Sequence, residues 1–166
     1  MKFSIKYLIT LACVAIVSSC TSEDIVDSQS ADEDVTVNLL LTTESEDGTM
    51  TRAMSDGKKV DKLYYAIFTE AGDTVIPKAT VNNAEGLTSE TGFPMTLTLA
   101  KGRSYKAVFW AQNSQSEAYT VSDGMVVDVD YNKACNDDNS DAFYGVSSLF
   151  ATSGESVKVT LRRPFA

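Results

Sequence analysis

From Val35 to Thr43 apolar side chains fall on every second position. Val35, Val37, Leu39 and Leu41 alternate with Thr36, Asn38 and Thr42, and only Leu40 is out of step. A period of two places one set on a single face of an extended chain, so this stretch predicts a half-buried strand. Leu63 to Phe68 (LYYAIF) is apolar on both faces and predicts an interior strand. Ala71-Gly72-Asp73 then turns the chain toward Val75 and Ile76. Pro94 opens a third run, in which Met95, Leu97 and Leu99 alternate with Thr96, Thr98 and Ala100. Lys101-Gly102 punctuates it, and Tyr105 to Ala111 (YKAVFWA) answers it, so the two segments predict a hairpin.

Tyr119–Val121 and Met125–Val129 flank Ser122-Asp123-Gly124. An Asp-Gly pair between β-branched runs predicts a hairpin with a type I′ turn, which needs positive φ at both central residues. Phe143 to Phe150 reads as a further strand. Val157, Val159 and Leu161 form the last alternating run, with Lys158, Thr160 and Arg162 toward water. No segment carries a helical period. Seven or eight short strands at regular spacing predict an all-β Greek-key sandwich. Trp110 falls on a strand, but without paired cysteines an immunoglobulin domain proper is not indicated.

The front of the chain follows a different pattern. Lys2 and Lys6 precede an apolar stretch, Tyr7 to Val17, broken only by Thr10. A basic start, a short apolar run and small residues are the marks of a cleavable secretory signal. The run is shorter than the ~20 residues that cross a bilayer. Val17-Ser18-Ser19-Cys20 resembles a bacterial lipobox, which implies cleavage after Ser19 and a lipid thioether, with palmitate-like acyl chains, on Cys20. Two or three acyl chains anchor stably at about 0.8 kcal/mol per buried methylene. Thr21 to Asp34 holds six acidic residues and few apolar ones. The domain reading is therefore a signal at 1–19, a disordered acidic tether at 20–34 and one sandwich domain at 35–166.

Loss of residues 1–19 removes two lysines and no acids, so the formal charge of −9 becomes −11. Such an acidic chain is a poor partner for nucleic acid. Of the three cysteines, Cys13 leaves with the signal and Cys20 takes the lipid, so Cys135 has no partner for an intramolecular disulfide. The chain contains no histidine, the commonest general base and neutral metal ligand. No Gly-Xaa-Ser-Xaa-Gly elbow or phosphate-cradling glycine loop occurs either, and neither an enzyme nor a cofactor is indicated. Asp137, Asn139 and Asp141 match the first positions of a calcium loop. However, Ala142 replaces its glycine and Ser148 its closing glutamate, so a solvated acidic loop without metal is the reading. Asp73-Thr74-Val75 resembles the O-glycosylation sequence of Bacteroides exported proteins, which makes Thr74 a candidate acceptor.

Several segments in order carry a wider resemblance: Thr51-Arg52-Ala53, Leu63–Phe68, Leu99-Ala100-Lys101-Gly102, Tyr105–Ala111, Asp141–Tyr144 and Arg163-Pro164-Phe165-Ala166. With the lipobox ahead of them, they resemble the N-terminal domain of fimbrillin-like (Mfa-like) surface lipoproteins of Bacteroidetes. The acidic Glu23-Asp24 patch just after Cys20 resembles the surface-export signal of lipoproteins from the same phylum. The resemblance implies a transthyretin-like sandwich, an outer-membrane, cell-surface location and a role in surface fibres and adhesion. It also implies that a protease cutting after Arg52 releases the first strand, and that a strand from another fimbrillin-like subunit fills the groove. Relatives usually continue into a second domain after the Arg-Pro-Phe-Ala stretch, where this sequence stops. Two function classes follow: a structural subunit or accessory of surface fibres, and a non-polymerising module that binds a glycan or host protein through its loops.

Overall fold

In the computed structural model the described residues are 33–44, 58–88, 91–133, 138–154 and 156–164. They belong to one compact unit, Asp32–Ala166. Nine strands occur among them, against the seven or eight expected: β1 Asp34–Thr43, β2 Lys62–Thr69, β3 Thr74–Asn82, β4 Phe93–Ala100, β5 Ser104–Gln112, β6 Tyr119–Val121, β7 Val127–Val129, β8 Ala142–Phe150 and β9 Ser156–Leu161. Two short 3-10 turns, Glu85–Thr88 and Asp138–Ser140, are the helical segments among the described residues. Both Glu33 and Asp34 are ordered parts of the domain rather than tether: Lys101 donates its backbone N–H to Glu33, and Asp34 opens β1.

One sheet has the order β4-β1-β9 and the other β3-β2-β5-β8, with β6-β7 as a separate pair. The alternation read from the sequence selects the inward faces. Val35, Val37, Leu39 and Leu41 of β1, Leu97 and Leu99 of β4, and Val159 and Leu161 of β9 meet Leu63 and Ile67 of β2, Tyr105, Ala107, Phe109 and Ala111 of β5, and Phe143 and Leu149 of β8. The sandwich is therefore one core between two sheets, as expected for alternating strands. β2, apolar on both faces, lies between β3 and β5.

Two expectations are corrected. β4 and β5 do not pair with each other: β4 pairs β1 in one sheet, while β5 pairs β2 and β8 in the other. Lys101-Gly102 is a corner between sheets, where Gly102 adopts φ 74° and donates its N–H to Ala151. Alternation shows which side chains face the core, and Leu97 and Leu99 do face Tyr105 and Phe109 as part of one cluster. That relation holds equally for strands side by side and strands opposed across a core. The second correction concerns the β6-β7 hairpin. It forms, but its loop runs from Ser122 to Val126, and Met125 takes positive φ (58°) in place of the Asp-Gly pair. Met125 N–H reaches Ser122 carbonyl, and Ser122 N–H reaches that of Val126, which closes a longer loop than a two-residue type I′ turn.

β9 runs parallel to β1, from Asn38↔Ser156 to Thr43↔Leu161. Val159 and Leu161 are buried in the core and Val157 packs against it. Burial of such side chains contributes about 1.5–3 kcal/mol each. Deletion of Val157–Ala166 is expected to unfold the domain, whereas deletion of Pro164–Ala166 spares β9 and Arg163 and leaves the melting temperature nearly unchanged. Thermal melts of the two truncations check this, and an intact melt for the longer deletion would remove β9 from the fold.

Candidate functional site

The feature with the clearest functional geometry is the slot occupied by β1. It is antiparallel to β4 from Asp34↔Ala100 to Leu41↔Phe93 and parallel to β9 along its second half. Neighbouring strands lie ~4.8 Å apart, so removal of β1 would leave β4 and β9 separated by a gap of about two such spacings. The four inward side chains Val35, Val37, Leu39 and Leu41 all enter the main core. Together they contribute on the order of 6–12 kcal/mol, at ~1.5–3 kcal/mol each.

Both ends of β1 are held. At the start, Lys101 Nζ lies 2.6 Å from Glu33. At the end, Glu44 donates its N–H to the Leu161 carbonyl. Gly92 (φ 72°) passes so close to β1 that a Cβ there would lie 2.8 Å from both Leu41 O and Thr42 Cγ2. Both the positive φ and this approach require glycine. Exposed side chains add little: Asn38 accepts a long 3.4 Å bond from Thr96. The slot is thus defined by backbone pairing and by apolar plugs, the two ingredients of strand addition.

Arg52, Cys20 and the Ser19 cleavage position lie outside the described residues, as do Cys135 and Asp137. Thr74 is the first residue of β3, an outer strand, and is exposed. Its neighbour Asp73 is fixed by a bond from its N–H to Thr69 Oγ1, which closes the Gly72 turn and presents the Thr74 hydroxyl to solvent.

The acidic loop differs from the solvated reading at Asp141, which is 4 % exposed and paired with Arg163 at 2.5 Å. Arg163 also stands over the Phe143 ring, 4.9 Å from its centroid. The carboxylate therefore locks the chain after β9 onto the start of β8. Asn139, a second member of the calcium-like pattern, accepts instead from Asn113. Elsewhere in this region Lys133 bonds Glu117 at 2.8 Å and holds its carboxyl below the ordinary 4.5. Both side chains are exposed to solvent, so this tie orients loops rather than anchoring the core.

Two further features were not visible in the sequence. The β6-β7 hairpin covers Trp110 on the outer face of the second sheet and forms a small second core with Val121 and Ala142. Tyr119 meets the indole edge-on at 5.3 Å and donates its hydroxyl to the Ser140 carbonyl. The indole N–H is satisfied by Gln112 at 2.8 Å. A lone tryptophan on a strand, with a short hairpin that opens on Tyr119 nearby, is the only trace of this in the sequence. The second feature is an open hollow of about 420 Å³ lined by Lys58, Lys59, Asp61, Asn113, Ser114, Gln115 and Asn139. Asp61 there accepts both the N–H and the hydroxyl of Ser114.

Known proteins compare as follows. A Bacteroides thetaiotaomicron protein (DUF1812), provisionally described as polysaccharide-binding, aligns over 78 % of this chain and 47 % of its own, with 15 % identity and a TM-score of 0.48. The fimbrial anchor protein Mfa2 of Porphyromonas gingivalis aligns over 78 % and 50 %, with 13 % identity and a TM-score of 0.48. A fimbrial assembly protein of Parabacteroides distasonis aligns over 79 % and 52 %, with 13 % identity and a TM-score of 0.41. The chain spans about half the length of each. No curated protein matches it. Residues 28–166 match the model of a family of unknown function, DUF6562, and the chain belongs to that family.

Proposed function

We propose that this protein is a lipid-anchored, surface-exposed structural subunit or accessory of fibres, of the fimbrillin-like kind, that assembles by exchange of its first strand. The observation that carries the reading is the position of β1. It is the middle strand of its sheet, all four of its inward residues are core plugs, and it is joined to β2 by the polar segment that contains Arg52. Cleavage after Arg52 would separate β1 and the lipidated Cys20 from the rest of the chain, leaving Ala53 as the new N-terminus. An incoming strand would then recover the backbone bonds to β4 and β9 and refill the pockets of Val35, Val37, Leu39 and Leu41.

The lipobox-like front supports the anchor, and fatty-acid labelling with surface fractionation tests the whole reading. The native chain is expected to take up label and to yield ladders of high-mass, heat-resistant polymer. Cys20→Ala is expected to take up no label and to accumulate as an uncleaved or soluble product. Labelled Cys20→Ala would end the anchor assignment, and a purely monomeric native chain would end the fibre assignment.

A second reading rests on the hollow beside Asp61 and Asn113, whose amide, hydroxyl and ammonium groups suit the hydroxyls of a sugar. Here the chain would act as a glycan-binding module, and retention of a monomer on a glycan array would favour it.

A further inference from the structure

The outer strands of the two sheets are not equally protected. β4 contains Pro94, and β3 contains Pro77 with breaks in its pairing register to β2. β9 carries the exposed charge of Lys158. Proline, irregular register and charge are the devices that keep a sheet edge from pairing with another chain. β8 has none of them: Ala142–Phe150 reads AFYGVSSLF, without a charge or a proline.

Among the described residues the free side of β8 carries no strand ladder over its second half, and at Val146 an open hollow separates it from Thr160 and Arg162. Tyr144 exchanges both backbone bonds with Arg162, the residue just after β9, and that is an isolated bridge. In an antiparallel strand alternate residues turn their N–H and C=O to the same side. Val146, Ser148 and Phe150 therefore turn theirs to the side of Tyr144, away from β5, and no ladder partner faces them among the described residues. Their side chains lie on the outer face, where Val146 is 53 % and Phe150 56 % exposed. The next strand presents Val108 and Lys106 beside Val146 and Ser148.

We infer that this edge pairs with the β8 edge of a second copy of the chain, antiparallel about a two-fold axis at Ser148. The pattern Val146-Ser148-Phe150 is self-complementary in that register. Reversal places Val146 against Phe150 of the second copy at each end and Ser148 against Ser148 in the middle. All three facing pairs are of the hydrogen-bonded type, so about six backbone bonds form, two per pair. The two valine–phenylalanine contacts are aromatic with β-branched, a favourable cross-strand combination. The uncharged edge lets two chains of net charge −9 meet without opposing carboxylates at the seam. The product is a continuous sheet β3-β2-β5-β8 joined to its two-fold mate. It is a lateral contact, separate from the β1 slot in the other sheet and independent of strand exchange there.

Because the contact is short, covalent trapping is the suitable test. In a hydrogen-bonded antiparallel pair the facing Cα atoms lie about 5.5 Å apart, within disulfide range. The full chain would be expressed with Cys135→Ser as background and oxidised on intact cells. Ser148→Cys is expected to give a disulfide-linked dimer several-fold above that background. Val146→Cys, which faces Phe150 rather than itself, is expected to give little. Val146→Glu added to Ser148→Cys is expected to suppress the dimer, because Val146 takes part at both ends, while leaving the melting temperature unchanged. A Ser148→Cys chain that stays at background would overturn the proposal, whether because the edge takes a different strand or because none binds. Equal dimer from Val146→Cys would overturn the register and with it the two-fold.

Discussion

A chain that begins at Ala53 and lacks β1 is expected to lose its cooperative melt and to aggregate, and to regain a folded state when a synthetic peptide of residues 33–44 is added. The reason is energetic. Four core plugs worth about 6–12 kcal/mol together are removed, against a total stability typically near 5–15 kcal/mol. The gap also leaves the edges of β4 and β9 unpaired, each a template for association. The peptide restores both the plugs and the ladder, in the antiparallel register with β4 and the parallel register with β9. Circular dichroism melts with and without peptide read the outcome. A shortened chain that melts as sharply as the intact one would show that β1 is a dispensable addition to the sandwich.

Arg163→Ala is expected to destabilise the domain by about 3–5 kcal/mol, because it leaves the buried Asp141 carboxylate without its cation. Asp141 Oδ2 already has no hydrogen-bond partner among the described residues, so little else can absorb the charge. Arg163→Lys should recover only part of the loss, since a point-like ammonium lacks the planar fork and its stacking on Phe143. Replacing both members by apolar residues of similar volume should cost much less than either single change. Urea unfolding of the three variants distinguishes these cases. A loss under ~1 kcal/mol for Arg163→Ala would class the pair with ordinary surface ion pairs.

The strands and their inward faces were legible because a half-buried strand writes its geometry into every second residue. Val35 to Leu41 and Val157 to Leu161 show this directly. What alternation does not encode is the neighbour. The same pattern in Met95–Leu99 and Tyr105–Ala111 fits a hairpin or two strands facing across a core, and only the close packing of both sheets decides between them. The loop between β6 and β7 misled for a related reason: Asp123-Gly124 has the composition of a tight turn, but the pairing of Val121 with Val127 leaves five residues to close, and Met125 takes the positive φ. Asp141 looked like a loop carboxylate by its acidic surroundings. Its partner Arg163 lies 22 residues away, a separation that composition cannot bridge. The β1 slot was legible in its plugs, through the alternation. The pairing of β1 with both β4 and β9, which makes it a slot rather than an edge, was not.

The central claim is that β1 is an exchangeable element released at Arg52. The most direct test is mass-spectrometric identification of the N-terminus in native material separated into monomer and polymer. The account predicts acylated Cys20 as the N-terminus of any unprocessed monomer and Ala53 as that of the polymerised chain. Polymer, or the whole native pool, that begins only at acylated Cys20 would contradict it.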